Sequence, residues 1–208
     1  MRTAILIDGG FMKSQYRYSN RGAYPDADEI ISICRERIMK APETQGDDLF
    51  RIYFYDCHPY MGWVTDPVTQ EKTDYSQTPS ARAQEYFLRE LAKKEKVIIR
   101  SGELAYNGWK VPQDKVEDII SFGKTIQAED LQYDFQQKQV DIKMGLDIAL
   151  MSLKRFVDKI VLIAADSDLA PAMEHARDEG ILVYLATLGV NVKMAMIAHS
   201  DGLIDVTL

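Results

Sequence analysis

Two uninterrupted apolar runs, each closed by acids, constrain this chain more than any other feature. They are Thr3-Ala-Ile-Leu-Ile-Asp8, and Lys159-Ile-Val-Leu-Ile-Ala-Ala165 followed by Asp166-Ser167-Asp168. A run of this kind suits a strand buried on both faces, as in a parallel sheet covered by helices. The rest of the chain supplies those helices. Apolar residues recur near the helical period from Asp26 to Met39, from Ser80 to Lys94 with Ser80 as N-cap, from Val140 to Phe156, after Asp168 as far as Glu179, and over residues 190 to 199. Further strands are expected at Phe50–Tyr55, at Val97–Arg100 running toward Tyr106 before an Asn107-Gly108 turn, at Ile181–Ala186, and in a short piece from Leu203. Alternating strands and helices predict a three-layer α/β/α sandwich with a mainly parallel central sheet. At 208 residues the chain forms one domain over 1–208, with insertions at 56–80 and 109–137.

In such sheets ligands collect outside the carboxyl ends of the strands, where the strand order reverses. Asp8 and Asp166 both project from that edge. Asp168 follows at a strand-to-helix turn, and Asp141 stands in the first turn of the Val140 helix. Asp147, six residues on, lies about 120° around that helix from Asp141, so it is expected behind the cluster or at its periphery. Two carboxylates about 5 Å apart repel by roughly 3 kcal/mol at an effective dielectric of 20, so four together need protons or a cation. Oxygen ligands without a nearby His or Cys select Mg²⁺ or Mn²⁺ over zinc, and the matching substrate is a phosphodiester. The structural alternative is helix capping by Asp168 and a macrodipole role for Asp141.

Other classes are disfavoured. The net charge of −7 argues against a purely electrostatic nucleic-acid binder. His58, His175 and His199 are scattered, and Gly9-Gly10 matches no phosphate-cradling motif. Cys34 and Cys57 fit no metal spacing or disulfide framework, so a reducing, cytoplasmic setting is expected. No apolar stretch reaches the ~20 residues of a membrane span.

Ile7-Asp8-Gly9, Val140-Asp141 with Asp147 further along, and Ala165-Asp166-Ser167-Asp168-Leu169 together resemble the NYN domain family, a branch of the PIN-like nucleases. Phe11 stands where that family often has Asn, Ala165 where it has Gly, and Leu169 where it has Phe. The resemblance implies a PIN-like fold and metal-dependent endoribonuclease activity. Asp8, Asp141, Asp166 and Asp168 would be the catalytic metal ligands, and Asp147 a fifth acid. Lys13 and Arg17, interleaved with Tyr16 and Tyr18, would then hold single-stranded or structured RNA, with Lys138, Lys143 and Ser167 beside the acids. A non-catalytic RNA-binding module with the same acidic pocket is the alternative; a phosphohydrolase acting on small phosphates ranks last. Apolar surfaces on the terminal helix permit a homodimer.

Overall fold

A computed structural model describes all 208 residues. In chain order the elements begin with β1 (Arg2–Asp8), α1 (Gly9–Ser19), α2 (Ala27–Ser32, continued by a wider π-helical turn over Ile33–Ile38) and β2 (Asp48–Cys57). There follow the hairpin β3 (Trp63–Thr65) and β4 (Lys72–Asp74), then α3 (Pro79–Ala92), β5 (Val97–Lys110), α4 (Gln113–Phe122) and β6 (Gln132–Lys138). The last part comprises α5 (Val140–Leu153), β7 (Lys159–Ile163), α6 (Ala170–Asp178), β8 (Leu182–Ala186), α7 (Met194–Ala198) and β9 (Gly202–Ile204). No helix is long and apolar enough to cross a membrane.

The central sheet has the order β6-β5-β2-β1-β7-β8-β9, with every pair parallel except β5–β6. This is the expected three-layer sandwich. β1 and β7 pair directly, Ile7 opposite Ile163, and both are fully buried along their central residues. Alternate residues of β1 feed two cores. Ile5 and Ile7 pack with Met12, Ile30, Leu88 and Leu91 on the α1–α2–α3 face. Ala4 and Leu6 pack with Met144, Ile148, Met173 and Met196 on the α5–α6–α7 face. The strand order reverses between β1 and β7, so the carboxyl-edge crevice lies there.

Three local expectations are corrected. α3 is capped by Thr78, whose hydroxyl accepts from Ala81 N, and not by Ser80. Pro79 has no N–H to be capped and sits at the first helical position, which moves the cap one residue ahead of it. Asn107-Gly108 is not a turn that ends a strand. β5 runs through to Lys110, and the pair forms a bulge opposite β6, with Gly108 at φ +94°. Residues 56–80, whose prolines and few aliphatics read as a long loop, and the insertion at 109–137 both carry regular elements. They contribute the β3–β4 hairpin, α4 and the antiparallel edge strand β6. Tyr60 and Tyr75 from the first segment pack on Tyr106, Tyr133 and Phe135, Trp109 stacks on Tyr133, and Trp109 Nε1 donates to Thr65 O at 2.7 Å. These rings tie the two segments into one projection beside the carboxyl edge. Trp63, by contrast, stays exposed.

Candidate active site

Asp8 ends β1 and caps α1, its Oδ1 accepting from Phe11 N at 3.1 Å. The chain can turn into α1 here because residue 9 is glycine. A Cβ at Gly9 would stand 2.7 Å from the Phe54 ring and 2.9 Å from Tyr55 O. Asp166 caps the short 3₁₀ turn before α6 through Asp168 N, at 3.0 Å. Capping therefore falls to Asp8 and Asp166 and not to Asp168, which is exposed with no ion pair. Asp141 reaches the same edge because β6 ends against β5 and reverses at Gln139, φ +70°, straight into α5. Gly102 permits the crossing, since a Cβ there would lie 2.5 Å from Lys138 O and 2.7 Å from Val140.

Electrostatics links these acids. Burial pushes the Asp8 carboxyl above its ordinary range, and the nearby Asp141 and Asp56 charges push it further, against opposing bonds from Phe11 and Gly10. Asp141 is raised for the same reasons: burial first, then Asp166, then Asp168. Asp141 thus stands between the β1 acid and the β7 acids. None of the four makes a salt bridge, and the neighbouring cations bond to other groups. Lys13 pairs with Asp56 at 2.6 Å, Lys143 turns to the carbonyl of Ser101, and Lys193 donates to the Ser167 hydroxyl at 3.2 Å. Arg17 lies over the Tyr24 ring, 4.6 Å from its centre, and Tyr16 donates to Glu29. Lys138 is exposed and unpaired.

Asp147 faces away from the cluster. It forms a two-pronged pair with Arg100, Nε to Oδ2 at 2.7 Å and Nη2 to Oδ1 at 3.1 Å, and accepts from the Tyr55 hydroxyl at 2.9 Å. Both of its oxygens are thereby neutralised inside the fold.

One acid escaped the sequence reading. Asp56 follows the alternating strand of Phe50–Tyr55 as Asp8 follows the first run, and that repeated signature marks it. Its side chain is 1% exposed and accepts from Lys13, from Gln84 at 3.0 Å and from Gln137 at 3.3 Å. Lys13, Asp56, Gln84 and Gln137 line a cavity of about 140 Å³ with Tyr75 and Leu104.

The donors at this edge are all carboxylate oxygens, which in kind fits a hard divalent cation. Their spacing does not close: no three His, Cys, Asp or Glu side chains form a group that could hold a metal ion.

The fold is a doubly wound sandwich with four acids outside any ion pair at its switch point. The family model for the NYN domain matches residues 73–207, more than half of the chain, and the protein belongs to this family of nuclease-like, RNA-related domains. The matched span contains Asp141, Asp166 and Asp168 but begins after Asp8 and Asp56. No curated protein matches the chain. Among solved structures, a protein of unknown function from Vibrio parahaemolyticus RIMD 2210633 is similar, with a TM-score of 0.51 at 16% identity, covering 98% of this chain and 91% of that one. That likeness concerns the fold.

Proposed function

We propose that this NYN domain is a metal-dependent endoribonuclease that hydrolyses RNA phosphodiesters at the carboxyl edge between β1 and β7. The observation that carries the reading is a set of four acids, Asp8, Asp141, Asp166 and Asp168, without a single salt bridge: Lys13 pairs with Asp56 and Arg100 with Asp147, Lys143 bonds to the Ser101 carbonyl, and Lys193 reaches only the Ser167 hydroxyl. Such a set is costly alone and is relieved by a cation or by protonation.

Asp8, Asp141 and Asp166, which do not form a closed three-ligand group as they stand, would have to draw together to hold Mg²⁺ or Mn²⁺ between them, with Asp168 at the rim. The ion supplies charge neutralisation and Lewis acidity toward a phosphodiester. The chain's own contribution is placement. The Phe11 N–H fixes the Asp8 carboxylate, the Asp168 N–H fixes that of Asp166, and the reversal at Gln139 brings in Asp141. Lys138 is the free cation available for an RNA phosphate, with Lys13, Arg17, Lys143 and Ser167 reaching it only if their present partners are exchanged.

A second reading has its own support. The spacing that fails to close on one ion, and the use of Asp8 and Asp166 as caps, favour a module that binds RNA without cleaving it. Incubation of labelled single-stranded and hairpin RNAs with excess Mn²⁺ separates the two. Asp8→Asn and Asp166→Asn keep a capping oxygen and the fold, and each is expected to lose at least ~100-fold in cleavage rate. Full cleavage by either variant, or by wild type in chelator, refutes the nuclease reading. Binding with no cleavage of any RNA establishes the second.

A further inference from the structure

The helix that carries Asp141 has two apolar faces. Val140, Met144, Ile148 and Met151 point into the core. On the opposite side Ile142, Leu146, Leu150 and Leu153, continued by Phe156 just past the helix end, remain between 43% and 68% exposed. Amphipathic helices at a protein surface normally show polar residues outward, and a helix apolar all round is a buried one. The charges of α5 are drawn off this face: Asp147 pairs with Arg100 and Lys143 bonds to Ser101.

We infer that this face is covered by the same face of a second copy of the chain. Five large apolar side chains at these exposures present about 550 Å² per copy. Two copies would bury roughly 1,100 Å² before flanking residues are counted, which reaches the ~1,000 Å² at which an interface becomes biological. The stripe is also self-complementary. A two-fold axis across the middle of α5 sets Ile142 against Leu153 of the other copy and Leu146 against Leu150, and the two helix macrodipoles then run in opposition. Nucleic acid fits poorly, because the exposed cations beside the stripe, Lys154 and Arg155, stand together at one end, while Lys143 is turned to Ser101. In this pairing the two Asp141-bearing ends lie at opposite ends of a helix about 21 Å long, each next to Leu153 of the other copy.

Sedimentation equilibrium of the purified chain in chelator, free of RNA, tests the pairing without reference to catalysis. The expected mass is twice 23.7 kDa. Leu146→Glu and Leu150→Glu alter exposed positions and leave the fold intact by circular dichroism. Each should weaken self-association at least ~100-fold, as loss of a central anchor does. Met194→Glu, at an exposed position of α7, should leave the dimer unchanged. A wild-type monomer at ~50 μM, or a dimer that survives both leucine variants, overturns the inference.

Discussion

Replacing Asp147 by alanine separates an internal brace from a member of the acid cluster. The variant strips two partners at once. Tyr55 is fully buried, and its hydroxyl donates to Asp147 at 2.9 Å. A buried hydroxyl left without an acceptor costs about 1–2 kcal/mol. Arg100 loses both prongs of its pair but is 40% exposed, so water takes over part of the role and the loss there is nearer ~1 kcal/mol. Its stacking over Tyr53 survives. The sum, roughly 2–3 kcal/mol, should lower the melting temperature of a domain this size by roughly 5–10 °C. Asp147→Asn keeps an acceptor for Tyr55 and should recover about half of the loss. Urea unfolding of the three proteins gives the stability values, and RNA cleavage per folded molecule is measured alongside. The brace assignment is refuted if Asp147→Ala unfolds within ~0.5 kcal/mol of wild type, or if it abolishes cleavage while its stability stays near that of wild type.

The Lys13–Asp56 pair should behave as a buried one, because the carboxylate is almost sealed. Lys13→Met leaves Asp56 with neutral donors only and should cost about 2–4 kcal/mol in urea unfolding, most of it restored by adding Asp56→Asn; a loss under ~1 kcal/mol contradicts the reading. The raised Asp8 and Asp141 carboxyls set the sign of a pH effect. Their folded values exceed the unfolded ones, so ionisation opposes folding. That cost is absent below the ordinary carboxylate range and complete above the raised values. In metal-free buffer, lowering the pH from neutrality into the ordinary carboxylate range should therefore help wild type more than Asp8→Asn, whose neutral amide carries no such cost. Parallel melting profiles for the two proteins would contradict it.

Sequence patterning reveals the fold where one element's burial settles its state. β1 and β7 are buried on both faces and read directly as apolar runs. β2 reads from its alternation and its aromatic and β-branched residues. In α5 the pattern shows two apolar stripes but cannot say which one the sheet takes, since Val140/Met144/Ile148 and Leu146/Leu150/Leu153 have the same period. The projection was hidden for a different reason. It is held by ring contacts between residues far apart in the chain, Tyr75 with Phe135 and Trp109 with Tyr133, and no local propensity encodes those meetings. Asn107-Gly108 is turn chemistry put to use in a bulge, a choice made by the partner strand. At the site, position along the chain indicates which acids reach the carboxyl edge. It cannot indicate which acid finds a cation, and that separates Asp147 and Asp56 from the other four.

Capping accounts for where Asp8 stands, but it does not account for its charge. An acid that only caps gains from the N–H groups it accepts and from the positive end of the helix, so its carboxyl should titrate low. The chain shows the first of these effects. Asp66, in the turn between β3 and β4 and at no helix end, accepts from Val68 and Thr69, both at 2.8 Å, and is held below its ordinary value by those bonds alone. Asp8 accepts the same kind of bond and is displaced in the opposite direction, because burial and the charges of Asp141 and Asp56 outweigh the cap. Asn or Ser would cap α1 as well without that penalty. The carboxylate at position 8 is therefore retained at a cost to folding that its bond to Phe11 does not explain, and Asp141, which caps nothing, bears the same kind of cost beside it.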